Sequence, residues 1–266
     1  MSDTMIALLL GFIEGLTEFL PVSSTGHLIL AGELLGFTDN SSVAFKIAIQ
    51  FGAILAVLLV YWRRFWTVGT GLLRREAGAV AFTRNILLGF APALVIGVVA
   101  YDAIRAAMQT PEIVAIALIV GGILILVLER VVKTVRFHAV EEIPFGTALS
   151  IGLVQCTAML PGVSRSGATI MGGLMMGVER KTAAEFSFFL AVPTMMAATV
   201  YALWKDRALL NADDLGMIGI GFTMAFLVAV VVVKAFVAIV GRYGFAPFAY
   251  YRIIAGTAAL IWLTMR

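Results

Sequence analysis

Two stretches of this chain hold residues that can do chemistry on a charged substrate. The first runs Glu14-Gly-Leu-Thr-Glu18-Phe-Leu-Pro21-Val-Ser23-Ser24-Thr25-Gly26-His27. The i, i+4 spacing of Glu14 and Glu18 places both carboxylates on one face of a helix. Two adjacent carboxylates repel unless a cation lies between them or one takes a proton. A hard divalent ion, Mg²⁺ or Ca²⁺, would resolve this with substrate oxygens completing its shell. The competing reading is a structural ion pair between one glutamate and Arg165 or Lys46. His27 follows Ser24 by three residues and has the chemistry of a nucleophile, a general base or a general acid.

The second stretch is Pro161-Gly-Val-Ser164-Arg165-Ser166-Gly167-Ala-Thr169. A planar, always-charged guanidinium matches phosphate oxygens bidentately. Ser164, Ser166, Gly167 and Thr169 sit where a helix begins, and free N–H groups at a helix start attract anions. Ser23, Thr25 and Gly26 offer a second such start. Two opposed helix starts, an arginine and a cation suit a diphosphate. The bland alternative is plain N-capping by serine and threonine. The candidate catalytic set is therefore Glu14, Glu18, Ser24, His27 and Arg165, with Glu14 and Glu18 also the metal candidates. Arg252 is expected to line the site or to pair with a glutamate. Lys46, Gln50 and Gln155 are further polar candidates, and His138 reads as surface.

The elements that must position these residues are membrane helices. The chain has 266 residues, 61% hydrophobic and only 13% charged, against about a quarter charged in soluble domains. This composition predicts an all-α, polytopic membrane protein with a single domain. Met5–Leu20 and Leu28–Phe37 are separated by Pro21, which ends a helix because it lacks an N–H. Both are short of the roughly 20 residues a span needs, so they read as a re-entrant helix–loop–helix. Such broken backbone is tolerated at membrane depth only inside protein or a watery cavity. Three spans follow, at Val43–Trp62, Ala81–Tyr101 and Ile113–Val132. The plan then restarts with Phe145–Leu160 and Ala168–Val178, followed by spans at Ala183–Trp204, Leu215–Val240 and Phe248–Leu263. Pro92 and Pro193 fall inside spans and predict kinks.

The restart is an internal repeat. A shift of 141 residues carries Gly11 to Gly152, Val22 to Val163, Ser23 to Ser164, Gly26 to Gly167, Gly32 to Gly173 and Phe45 to Phe186. The same shift carries Glu14 to Gln155 and Ser24 to Arg165. Repeat 1 covers about 1–133 and repeat 2 about 142–266. With one hairpin and three spans in each, the second half enters with opposite topology, the inverted-repeat plan.

Basic residues orient it. One side receives Arg63, Arg64, Arg74, Arg75, Arg84, Arg130, Lys133, Arg136, Arg180, Lys181 and Arg242. The other receives Arg105, Lys205, Arg207 and Arg266. By the positive-inside rule the first side is cytoplasmic, which turns both termini and the mouth of the first hairpin outward. The net charge of +3 needs no nucleic-acid partner. The single cysteine, Cys156, forms no intrachain disulfide. The N-terminus lacks a basic region, which argues against a cleaved signal peptide. No P-loop, zinc spacing or nucleotide motif is present.

Both stretches resemble the two signatures of the bacterial undecaprenyl-diphosphate phosphatase family of the bacitracin-resistance type. The run Glu185-Phe-Ser-Phe-Phe-Leu-Ala-Val-Pro193 and the pair Tyr251-Arg252 also fit, so the resemblance covers essentially the whole chain. It implies hydrolysis of undecaprenyl diphosphate to the monophosphate carrier of cell-wall precursors, in the bacterial inner membrane. It also implies a divalent cation, a site open to the outer face, and a polyprenyl diphosphate substrate among membrane lipids. By similarity, Glu14 and Glu18 serve the cation or water, while Ser164, Arg165 and Ser166 hold phosphate. Ser24 or His27 takes the nucleophilic or proton-transfer role. The oligomeric state stays open, a homodimer included. A transporter or flippase for a lipid phosphate is the alternative, since inverted repeats with broken helices are transporter architecture.

Glu14→Gln and Glu18→Gln are each expected to depress turnover strongly, and a chelator should mimic them. Full activity in excess chelator would remove the cation from this account.

Overall fold

A computed structural model describes residues 1–37, 41–107, 110–205 and 215–265. Arg207 and Arg266 lie outside the described residues. The first half runs α1 (Asp3–Thr17), α2 (Ser24–Leu35), α3 (Ser41–Val60), α4 (Trp62–Leu73), α5 (Ala77–Val99), α6 (Tyr101–Ala107) and α7 (Pro111–Val131). The second runs α8 (Phe145–Gln155), α9 (Arg165–Met175), α10 (Arg180–Lys205), α11 (Leu215–Tyr243) and α12 (Ala246–Thr264). Among the described residues the only strand-like pairing is one isolated bridge, Phe137 to Val178. Five helices, α5, α7, α10, α11 and α12, are long and apolar enough to cross a membrane; α3 with α4 makes a sixth if the bent pair counts as one. This is a multi-pass integral membrane protein. Pro92 and Pro193 each lie within a continuous helix, α5 and α10.

The segment 63–84, expected as a cytoplasmic loop, is instead helical over most of its length. The chain bends by 71° after α3 and continues as α4, and Arg84 already lies within α5. A search for apolar runs misses α4 because the helix is amphipathic. Val68 and Gly71 are buried, whereas Trp62, Trp66 and Leu73 are exposed beside Arg63 and Arg74. Tryptophan with arginine on an outward face is the composition of a helix lying in the membrane interface.

Helix ends at the two breaks also differ from the proline rule. α1 stops at Thr17, before Pro21 is reached, and the α-helical part of α8 stops at Gln155, giving way to a 3₁₀ turn at Cys156–Met159. The last carbonyls of a helix have no partner within it. The turn that follows α1 has the same need: the carbonyls of Leu20 and Pro21 are taken by side chains from far along the chain, Ser166 for Leu20 and Arg252 for Pro21. Tertiary donors thus satisfy the break that follows the first helix.

The first arm of each hairpin packs on a helix of the opposite half, α1 on α11 and α8 on α5. Both crossings are glycine against glycine. A Cβ on Gly11 would strike the Gly221 backbone, and one on Gly152 would strike that of Gly89. Small residues let backbones meet this closely in a membrane, where packing and not water drives association. α7 and α12 also approach closely, Gly122 against the Ala249 carbonyl and Gly256 against that of Ala115. A core rich in phenylalanine lies beside the breaks, with Phe19 edge-on to Phe188 at 5.4 Å.

Two of the residues assigned to the basic side form ion pairs with acidic partners. Arg64 pairs with Glu141, and Arg180 with Glu129 at 3.2 Å. Glu129 also accepts the Phe245 N–H at 2.8 Å. At the opposite assigned side, Lys205 pairs with Asp102 at 2.7 Å. His138 is exposed, as its reading as a surface residue expected.

Gly11→Ala and Gly152→Ala are expected to destabilise by about 1–3 kcal/mol each, the usual cost of overpacking. Gly69, with no atom near its missing Cβ, should tolerate alanine or gain from it. Thermal unfolding in one detergent compares the three, and equal melting temperatures for Gly11→Ala and Gly69→Ala would refute the close crossing.

Candidate active site

Ser24 and Arg165, from opposite halves of the chain, grip one carboxylate. Ser24 Oγ donates to Glu18 Oε2, and Arg165 Nη2 donates to Glu18 Oε1 at 2.9 Å. Local sequence explains each position. Ser23 caps α2, its hydroxyl accepting from Gly26 N at 3.3 Å, which puts Ser24 on the first turn. Ser164 caps α9 in the same way, accepting from Gly167 N at 3.0 Å, and Arg165 becomes the first residue of that helix. Glu18 follows the last turn of α1, so its side chain faces both helix starts.

Glu14 stands one turn before Glu18 and is only 1% exposed. Its Oε1 is buried without a hydrogen-bond partner, as is Arg165 Nε. The rest of the Arg165 guanidinium is engaged. Nη1 donates to the Ser187 carbonyl at 2.8 Å and to its hydroxyl at 3.2 Å, and the group lies 5.9 Å from the centre of the Phe19 ring. An unsatisfied buried carboxylate oxygen is costly. It marks Glu14 as the place where a positive group or a proton is wanted.

Glu14 and Glu18 fit a divalent cation as a partial donor set. Among the described residues no cluster of three or more His, Cys, Asp or Glu exists. Two carboxylates with the substrate's phosphate oxygens is how Mg²⁺ is commonly held. Both oxygens of Glu18 already accept hydrogen bonds, so Glu14 carries the free donor capacity.

The two breaks touch. Ser166 Oγ donates to the Leu20 carbonyl at 2.6 Å and lies 2.8 Å from Ser164 Oγ. A Cβ on Gly26 would lie 3.5 Å from Gly162 Cα. Gly162 itself has φ +87°, and a Cβ there would press on the Val114 carbonyl at 2.6 Å.

Arg252 holds this junction together. It is 2% exposed and makes four hydrogen bonds, all to backbone carbonyls. Nη1 reaches Pro21 at 2.9 Å, Nη2 reaches Gly162 and Ala117 at 3.0 Å each, and Nε reaches Leu118 at 3.2 Å. A pairing with glutamate, one of the two roles expected for it, is not made. Four of its five N–H groups go to the two breaks and α7. A Cβ on Gly121 would lie 2.7 Å from its guanidinium carbon, so the glycine makes room for the arginine.

His27 is half-buried and occupied at both nitrogens. Nδ1 lies 2.8 Å from the Ser23 carbonyl and Nε2 lies 2.7 Å from the Tyr251 hydroxyl. It makes no hydrogen bond to Ser24. Thr169 bonds back to the carbonyls of Arg165 and Ser166 at 2.9 and 3.1 Å, and to Ser187 Oγ at 2.8 Å. Ser23, Ser164 and Thr169 thus act as caps and braces here, as the bland reading has it. Thr25 is half-buried beside them on the first turn of α2. Gln155, the repeat counterpart of Glu14, donates to the Gly89 carbonyl at 3.4 Å and takes no part in the cluster. Sequence reasoning missed Ser187 and gave Tyr251 no role. The signal for Ser187 was a lone hydroxyl inside an otherwise phenylalanine-rich run.

Residues 7–258 match the protein family described as bacitracin resistance protein BacA. The chain belongs to that family. Three relatives, each named undecaprenyl-diphosphatase, match it over nearly their whole length. That of Sphingopyxis alaskensis is 68% identical over 266 residues, all of both chains. That of Rhizorhabdus wittichii is 59% identical over 97% of each chain. That of Novosphingobium aromaticivorans is 53% identical over 99% of this chain and all of its own. In this BacA family chain the two motifs of the sequence become one cluster around Glu18.

Arg252→Lys keeps the charge but presents donors from a single point, which cannot reach four carbonyls in different directions. At least two buried carbonyls lose their partners, at about 1–3 kcal/mol each. A melting temperature equal to that of the unsubstituted protein would show that the four contacts do not hold the junction.

Proposed function

We propose that this chain hydrolyses the terminal phosphoanhydride of undecaprenyl diphosphate, releasing undecaprenyl phosphate and inorganic phosphate, with Ser24 as the attacking group. The observation that carries the mechanism is the Ser24 hydroxyl donating to Glu18 while Arg165 holds the other oxygen of that carboxylate. A serine hydroxyl is a weak nucleophile until a base in hydrogen-bond contact takes its proton. Glu18 is that base, and Arg165 orients it.

Ser24 Oγ attacks the terminal phosphorus as its proton passes to Glu18 Oε2. The bond from phosphorus to the bridging oxygen breaks, and undecaprenyl phosphate leaves as an anion. Water then attacks the phosphoserine and the bond from phosphorus to Ser24 Oγ breaks; Glu18 returns its proton to that oxygen, and the proton lost by water leaves with the inorganic phosphate. Charge on the transferring group is met by Arg165, whose Nε is buried and unengaged, and preorganised donors of this kind act most in the transition state. A divalent cation of the Mg²⁺ or Ca²⁺ class at Glu14 and Glu18 would neutralise phosphate charge. His27 is not the attacking group in this reading, since both its nitrogens are committed. Its family membership and its relatives' names support the reaction; the cation and the individual roles rest on the geometry and the donor chemistry.

The same proposal places the protein in the bacterial inner membrane. Its basic end lies in the cytoplasm, its termini outside, and its two hairpins are re-entrant and open outward. The excess of basic residues at one end of the bundle supports this orientation.

Phosphate release by purified protein in detergent, without a gradient, separates hydrolysis from transport. Ser24→Ala should abolish both turnover and a trapped phosphoenzyme, while His27→Gln should still form the phosphoenzyme. Label on His27 would transfer the nucleophile's role to the imidazole. Arg165→Ala should lower kcat by about 10²-fold or more, and Arg165→Lys should recover only part of it, because the planar fork is lost. A lysine variant with full kcat would refute the oriented carboxylate, and a rise in KM alone would assign Arg165 to uniform binding.

A further inference from the structure

We infer that Tyr251 is a positioning residue for Ser24, acting through the imidazole of His27; the inference rests on Ser24 as the attacking group. Nδ1 of His27 is 2.8 Å from the Ser23 carbonyl. A carbonyl oxygen can only accept, so the ring carries its proton on Nδ1. In the neutral ring Nε2 is then an acceptor, and the Tyr251 hydroxyl at 2.7 Å donates to it. The two rings lie nearly parallel, 9° apart, with centres separated by 5.5 Å. Tyr251 is 224 residues away in sequence, so the contact ties α12 to the first break.

What the contact holds is a backbone that does not hold itself. Ser23 has φ 70° and ψ 90°, a conformation that non-glycine residues avoid unless the surroundings fix it. The Ser23 carbonyl accepts twice from His27, from the backbone N–H at 3.2 Å and from Nδ1 at 2.8 Å. Ser24 is the next residue, and the peptide plane between Ser23 and Ser24 sets the direction of its hydroxyl toward Glu18. A misplacement of about 1 Å can cost about 10²-fold in rate. The neighbouring Arg252 fixes the same break at Pro21. Consecutive residues of α12 therefore hold the strained turn from two sides, one through a carbonyl and one through a ring.

Only two histidines are present, and His138→Gln leaves His27 as the single imidazole for ¹⁵N-histidine labelling. In that background His27 should show one protonated nitrogen and one acceptor nitrogen. Tyr251→Phe keeps the aromatic ring and removes only the donor. It should average the two nitrogen signals and lower kcat by about 10- to 100-fold with little change in KM, at a melting temperature close to that of the parent. In a His27→Gln background the same substitution should cost nothing further. Unchanged nitrogen shifts, unchanged kcat, or an additive loss in the His27→Gln background would each overturn the assignment. An active Ser24→Ala protein would instead sink the Ser24 reading and leave the tyrosine–histidine result standing.

Discussion

The buried guanidinium of Arg252 is the contact on which the rest of the site depends. Each of the two hairpins turns back through non-helical backbone, and such backbone carries carbonyls with no partner of their own. Where that backbone is buried, those groups must be satisfied by protein. One planar cation with five donors answers the need. It collects Pro21 from the first break, Gly162 from the second and two carbonyls of α7. A buried charge is costly unless it is fully hydrogen-bonded, and an irregular backbone is costly unless it is capped. The two costs offset one another here, and the product is a fixed distance between two helix starts.

Glu18 depends on that distance. Its carboxylate receives Ser24 from one start and Arg165 from the other, so a small shift between the breaks would detach one of them. Glu14 is different in kind. It is buried with an oxygen left over, next to a carboxylate whose own oxygens are used. The arrangement separates two acidic roles by environment. One carboxylate is oriented by a serine and an arginine, which suits the base role proposed for it. The other keeps an oxygen without a hydrogen-bond partner, which suits the cation proposed there. Both lie beside an arginine that keeps an unengaged N–H.

The scaffold reaches this geometry through close crossings. Glycine faces glycine where α1 meets α11 and where α8 meets α5, each hairpin leaning on the other half. Leucine gains little by leaving lipid for protein, so contact area and proximity replace hydrophobic burial as the source of stability. The ion pairs Arg64–Glu141 and Arg180–Glu129 follow ordinary surface rules, partly exposed and joining α4 to the segment after α7 and α10 to α7.

The sequence by itself determined the class of the protein, the two chemically active stretches and the residue types in them. Its composition required a membrane bundle, and spacing placed Glu14 with Glu18 and Ser164 with Gly167, because capping and i, i+4 geometry are local. Apolar length located the spans for the same reason. It did not show α4, whose buried face is too narrow to appear as an apolar run. Nor did it show what satisfies the break after α1, since the donors that capture Leu20 and Pro21 come from Ser166 and Arg252. Only the tertiary structure decided that Ser24 and Arg165 share one carboxylate, that Arg252 bonds backbone and no glutamate, and that His27 is held by Tyr251. Each of these joins residues 90 or more positions apart, and no local periodicity encodes a contact that exists only after the chain has packed.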